Sequence, residues 1–271
     1  MADDPIRVLV FGAHPDDCDL RCGGMAMMYR DRGHEVKFIS MTNGDTGHHE
    51  MGGGPLARRR YEETQCTARV ADIEYEVFDI HNGELVANLF YRRMAIEAIR
   101  EFRPDLVICH RPNDYHPDHR AVGVLVQDAI HACTIPNVLP LTPEMERSPV
   151  LGYAYDRFTD PTPYVPTIAI DTDQVFERKV DMVHCHESQM YEWNLRFSDP
   201  VPEDERRQWL GERLAQRFGN LADDARECLV RWYGEERGNE VQTAETVMIS
   251  EYGAVPDEER LRGLFPFLPQ G

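Results

Sequence analysis

One histidine and two aspartates crowd the turn Gly12-Ala13-His14-Pro15-Asp16-Asp17, directly after the apolar run Arg7-Val8-Leu9-Val10-Phe11. His14 and Asp17, three residues apart, can both reach a single metal ion. Asp16 then stays free to take or give a proton. A second cluster, Asn113-Asp114-Tyr115-His116-Pro117-Asp118-His119, follows another apolar run, Leu106-Val107-Ile108-Cys109. A catalytic zinc usually takes three protein ligands and keeps one position open for water. His14 and Asp17 supply two, and His119 or His116 is the source of the third. Two histidines and a carboxylate also suit non-haem Fe(II), so the pattern specifies an open divalent site before it specifies zinc. The histidine left off the metal could, when protonated, stabilise an oxyanion. Asp118 could orient one of the two histidines. Water activation, base, Lewis acid and oxyanion donor together describe metal-assisted hydrolysis of an amide or ester.

Both clusters need a strand end to hold them. Strand patterns at 7–12, 35–41, 75–79 and 105–109 alternate with helix patterns at 20–32, 57–71, 90–102 and 118–133. This alternation predicts an α/β, Rossmann-like fold with a mostly parallel sheet flanked by helices. The clusters then lie at the sheet edge where open α/β sheets bind ligands. Further strands are expected at 150–155, 167–171 and 244–250, a helix from Thr172 or Asp173 to about His186, and a charged amphipathic helix over 203–218. With no clean linker, the chain reads as one domain, 1–271, whose core spans about 6–190 and whose small C-terminal extension spans about 200–271. The loop 43–56 holds five glycines and serves either as a lid or as an ordinary connection. His48 and His49 in it read as exposed. His186, Ser188 and Gln189 read as structural groups near the site, as do His34, His81, His110, His131 and His184 elsewhere. Tyr191 and Trp193 read as packing aromatics, with an aromatic platform for a sugar ring as the alternative.

The formal net charge of −19 argues against nucleic acid and anionic membranes as partners and favours solubility. No stretch approaches the ~20 apolar residues of a membrane span. The acidic start, Met1-Ala2-Asp3-Asp4-Pro5, does not read as a signal peptide. Seven scattered cysteines, without a C-x-x-C pair, read as free thiols in a reducing cytoplasm.

Ala13-His14-Pro15-Asp16-Asp17 together with His116-Pro117-Asp118-His119 resembles the motifs of the PIG-L/LmbE-like N-deacetylases, zinc enzymes acting on N-acetylglucosamine-type sugars. Thr42-Asn43-Gly44-Asp45, Arg60-Tyr61-Glu62-Glu63, and Lys179 with His186-Glu187-Ser188-Gln189 extend the resemblance over about residues 6–190. The resemblance implies His14, Asp17 and His119 as ligands of Zn(2+), with another divalent ion such as Fe(2+) as the variant. It implies Asp16 as general base, and protonated His116, supported by Asp118, as the oxyanion stabiliser. Arg60 resembles a contact to sugar hydroxyls. Asn82-Gly83 stands where many members carry Asp-Gly, which makes Asn82 a substrate contact of altered charge. The insert 47–55 is not a general family feature. A small amino-sugar substrate and a homo-oligomer are implied as partners. The competing readings are a zinc amidase for a larger N-acyl or thiol-sugar conjugate, a non-haem iron oxygenase, and a non-catalytic nucleotide-binding Rossmann-like module. The last needs a glycine fingerprint of which the sequence has only Gly12.

Overall fold

The computed structural model describes residues 5–269. Seven strands form one sheet: β1 (Arg7–Gly12), β2 (Glu35–Ser40), β3 (Glu74–Val77), β4 (Leu106–Cys109), β5 (Val150–Ala154), β6 (Ile168–Asp171) and β7 (Ala244–Ile249), in the spatial order β3-β2-β1-β4-β5-β7-β6. The first five run parallel, and β7 is antiparallel to both its neighbours. The helices are α1 (Asp17–Arg30), α2 (Gly53–Ala71), α3 (Leu89–Phe102), α4 (Pro117–Ala132), α5 (Phe176–His184), α6 (Arg206–Asp224), α7 (Arg226–Tyr233), α8 (Glu235–Glu240) and α9 (Glu258–Leu264).

The unbroken apolar character of β1 follows from burial on both faces. Val8 and Val10 pack with Cys18, Met25 and Phe38 on one side, while Leu9 and Phe11 pack with Ile39, Ile99 and Val122 on the other. Successive strand residues point to opposite faces, so both sets must be apolar. The chain runs from β1 outward to β2 and β3, then returns to place β4 on the other side of β1. That reversal opens a crevice at the carboxyl ends of β1 and β4. At Gly12 a Cβ would come within 2.9 Å of the Asp17 Cβ, so bare backbone is what lets α1 begin hard against the strand end.

Two expectations change. The segment beyond residue 200 contributes β7, which lies between β5 and β6, so it belongs to the sheet and is no mere appendage. Trp232, Leu261, Leu264 and Phe265 from that segment join the cluster on the α1 face. The cysteines are not all free: Cys66 of α2 is bonded to Cys185, just past α5, while Cys18, Cys22, Cys109, Cys133 and Cys228 stay unpaired. Among the described residues no helix is long and apolar enough to cross a membrane.

Candidate active site

The crevice between β1 and β4 gathers three ligand atoms into a triangle. His14 Nδ1 lies 3.3 Å from Asp17 Oδ2, His119 Nε2 lies 3.4 Å from the same oxygen, and the two imidazole nitrogens are 3.3 Å apart. An ion bonded tetrahedrally to nitrogen and oxygen at about 2.0–2.2 Å keeps its ligand atoms about 3.3–3.5 Å apart. The residues present therefore fit a small divalent ion. Two other triplets, His14-His116-His119 and Asp17-His110-His119, also converge, and both include His119. They are weaker sets, because the lone pair of His110 Nε2 accepts the Ala13 N–H at 3.2 Å and that of His116 Nδ1 accepts the Asp118 N–H at 3.1 Å.

Local structure explains each position. Asp17 opens α1, and its Oδ2 turns back to accept the amides of Ala13 and His14 at 3.1 and 2.8 Å. His116 is the N-cap of α4 and Pro117 occupies the first turn, a favoured place for a residue without an N–H. His119 lies one turn further on and so faces the same crevice.

A carboxylate backs each histidine of the triangle. His14 Nε2 lies 3.2 Å from Asp118 Oδ2, and that carboxylate is itself fixed by the amides of Gly83 and Leu85. His119 Nδ1 faces Asp114 Oδ1 at 3.1 Å. Such partners orient a ligand imidazole and raise its basicity. Burial alone would lower the His119 pKa, but Asp17 and Asp114 outweigh it and raise the value to about 9. Asp17 is held well below the usual carboxylate range by His119 and His110, against the opposing effect of burial. His110, stacked on His119 with ring centroids 4.0 Å apart, is pushed by burial and the His119 charge down to about 3, so it stays neutral.

Asp16 lies beside the triangle without joining it. Burial raises its pKa above 3.8, and Arg60 pulls the other way from 3.3 Å. Arg60 itself is 2% exposed and also donates to the carbonyls of Pro15 and Gly44. Gly44, at φ +72°, has no room for a side chain, since a Cβ there would sit 2.5 Å from the guanidinium. Above these groups opens a cavity of about 640 Å³, in the range of small-molecule sites, walled in part by Tyr115, Asn82, Gln189 and Trp193. Asn82 Oδ1 is buried there without a hydrogen-bond partner. One wall is a π-helical turn, Ser188–Trp193, anchored where Glu63 accepts the Ser188 amide and hydroxyl at 2.8 and 2.7 Å. Below it, Asp19 holds His186 at 3.2 Å and accepts from the Tyr75 hydroxyl.

The structure thus brings His14, Asp16, Asp17, His116, Asp118, His119, Arg60 and Asn82 to one crevice, with three changes of detail. Asp118 serves His14 instead of His116, whose Nδ1 is 3.9 Å away, because the first turn of α4 aims the carboxylate at β1. In the metal-free site His116 is held below its ordinary pKa by burial and by His14 and His119, and its Nδ1 accepts the Asp118 N–H, which puts the proton of the neutral ring on Nε2. Arg60 is almost fully enclosed and turns its Nη1 and Nη2 to the carbonyls of Gly44 and Pro15 instead of facing outward. His48, expected in solvent, has a side chain only 3% exposed and meets Glu192 at 2.9 Å. With the Gln189 amide on the Gly47 carbonyl and Arg59 on Glu192, that contact fastens loop 43–52 to the π-helical turn. Asp114 was missed. Its signal was an acidic residue five before His119 on the same turn. Asp114→Asn is expected to weaken metal binding about 10–100-fold, measured by competition with a chromophoric chelator. Unchanged affinity would remove Asp114 from the site.

The chain is similar to several known proteins. The family described as PIG-L, GlcNAc-PI de-N-acetylase, matches residues 9–130, which hold both clusters. Diacetylchitobiose deacetylase of Thermococcus kodakarensis is 30% identical over 207 residues, covering 71% of this chain and 74% of that protein. The solved N,N'-diacetylchitobiose deacetylase of Pyrococcus horikoshii superposes with a TM-score of 0.72 at 22% identity, over 95% of this chain and 89% of its own. The 4-carboxy-2-hydroxymuconate hydratase of Pseudomonas putida KT2440 superposes with a TM-score of 0.74 at 18% identity, over 93% and 99%. At these identities the two superpositions establish the fold alone.

Proposed function

The chain belongs to the PIG-L family of metal-dependent N-deacetylases, and on that premise we propose that it hydrolyses the N-acetyl amide of an N-acetylglucosamine-type sugar or conjugate, with zinc as its metal. The observation that carries this reading is the triangle of His14, Asp17 and His119 with the carboxylate of Asp16 beside it.

Held by those three residues, a divalent ion would supply a Lewis acid and make a water acidic at neutral pH. The protein supplies the rest. Asp16 takes the proton from the attacking water and returns it to the nitrogen of the departing amine. Arg60 holds Asp16 in place and keeps it ionisable although buried. His116 donates its Nε2–H to the oxygen that gains charge when the amide carbon becomes tetrahedral. A neutral donor can do this, since the bond strengthens as charge develops. Asp118 and Asp114 keep the two histidine ligands in the required tautomer. Asn82 and Trp193 line the cavity in which the sugar would lie.

The test is a panel of N-acetylated substrates, from methyl N-acetylglucosaminide and N,N'-diacetylchitobiose to larger N-acyl conjugates, incubated with protein of known metal content and scored by paired release of acetate and amine. Stoichiometric release is expected. If no amide is cleaved while a conjugated unsaturated carboxylic acid loses its ultraviolet absorbance, the chain is a hydratase like its structural neighbour.

A further inference from the structure

Three side chains on one face of α2 hold the π-helical turn that walls the catalytic cavity. Arg59, Glu63 and Cys66 follow one another at four- and three-residue steps, so they stand in a row along the helix. Their partners run the opposite way. Arg59 donates to Glu192 at 2.7 and 2.6 Å, Glu63 accepts the Ser188 amide and hydroxyl, and Cys66 is bonded to Cys185. Arg59 and Glu192, the outermost rung, have side chains 29% and 32% exposed. An ion pair in that setting contributes little, and less with salt. The disulfide is the covalent rung, and it lies at the base of the turn, directly before His186. Beyond the turn, residues 196–200 run exposed and offer it no second support. The turn itself brings Gln189, Met190, Trp193 and Asn194 to the cavity.

Disulfides staple small secreted domains whose cores are too small to hold them. This chain has 271 residues, a full core, and five cysteines that stay unpaired. Burial pushes the thiols of Cys18, Cys22, Cys109, Cys133 and Cys228 above their ordinary pKa, which keeps them protonated and unreactive. Cys66 and Cys185 are only half-buried, within reach of a reductant in solution. The metal triangle lies on the turns after β1 and β4, and neither turn is tied to these two cysteines.

We propose that the Cys66–Cys185 bond is a redox switch on the substrate cavity: a dithiol reductant opens it, frees the π-helical turn from α2 and weakens substrate binding, while the metal triangle stays intact. The proposal rests on the deacetylase reading for what the cavity binds. In the switching step the S–S bond breaks, two electrons and two protons pass from the dithiol to the cysteine sulfurs, and the reductant closes its own disulfide. With the covalent rung gone, Gln189, Met190 and Trp193 must be ordered each time a substrate binds. Fixing side chains of this kind costs on the order of tenfold in affinity.

Zinc-loaded protein is compared in three forms: oxidised, reduced with a phosphine that spares the zinc a chelating dithiol, and as the Cys66→Ser/Cys185→Ser double variant. Thiol titration in denaturant should count five in the oxidised protein and all seven after reduction. Hydrogen exchange should accelerate on reduction in residues 186–196 and stay unchanged in the turns 12–17 and 113–119. KM for whichever amide is cleaved should rise about tenfold, with kcat and zinc content held. Glutathione disulfide should restore the lower KM. The double variant should match the reduced parent and ignore the phosphine, whereas Cys228→Ser should switch as the parent does. If the double variant fails to fold, the reduced parent still carries the comparison. Seven thiols before reduction would overturn the proposal, as would exchange and KM that ignore reduction. Zinc loss, or exchange that rises across the whole sheet, would also overturn it, since either marks a staple of the fold. Thiol count and exchange need no turnover, so a failed amide panel leaves them readable, and their failure leaves the deacetylase reading standing.

Discussion

Asp16→Asn is expected to lower kcat/KM by about 10³–10⁴-fold while the protein stays folded and keeps its metal. Proton transfer by a placed side chain contributes about 10²–10⁴-fold. The upper end is expected because the same carboxylate serves both the attacking water and the leaving amine. Asparagine keeps the shape and can still accept from Arg60, 3.3 Å from the carboxylate, but it cannot carry a proton. The metal should remain, since Asp16 contributes no atom to the triangle of His14, Asp17 and His119. The sign of the pH dependence follows from the surroundings of Asp16. Burial raises its pKa above 3.8 and Arg60 opposes that rise. The base is active when ionised, so kcat/KM should fall with acid as Asp16 takes up a proton. Arg60→Gln removes the opposing cation and should move that fall to higher pH. A profile that stays flat through the acid range, or normal turnover by the asparagine variant, would remove Asp16 from proton transfer.

The crevice was legible in the sequence because each half of it is local. His14 to Asp17 and His116 to His119 each occupy one turn after an apolar strand, and the alternation of strands and helices requires those strands to lie parallel with both turns at the same edge. Partnerships across the crevice were not legible. The family resemblance paired Asp118 with His116, two residues away in the chain, yet the start of α4 points its carboxylate toward His14 on the turn after β1. Arg60 was expected from the family resemblance as a sugar contact, but only the fold shows it enclosed between Pro15, Gly44 and Asp16. Cys66 and Cys185 are separated by 119 residues, so nothing local announces their bond. The place of β7 was hidden for the same reason: an apolar segment near the end of a chain does not reveal which strands it joins. The expected loop at 43–56 is shorter, since α2 begins at Gly53, and His48 is not in solvent, because the contacts that fasten the loop come from the π-helical turn, more than a hundred residues away.

Asp17→Asn is expected to lose most bound metal and, with it, activity by about 10³-fold or more. A metal ion contributes several kcal/mol of transition-state stabilisation, and each 1.36 kcal/mol is about tenfold in rate. Asparagine can still accept the amides of Ala13 and His14, so the turn should fold as before. What it lacks is the negative charge that opposes the crowding of His14, His110 and His119. That charge has a second signature in the metal-free protein. The His119 pKa of about 9 depends on Asp17 and Asp114 overcoming burial. Without the Asp17 charge it should drop toward the ordinary histidine value, readable by NMR of the imidazole protons. The same value means that at neutral pH the metal-free site holds a proton on His119 that a metal must displace. Metal uptake by the parent protein should therefore release a proton, seen as a binding enthalpy that varies with the ionisation enthalpy of the buffer. His119→Ala, which leaves the His116 cap of α4 in place, should abolish metal binding by a different route. Full metal content in either variant, with turnover near that of the parent, would break the link between the triangle and the reaction.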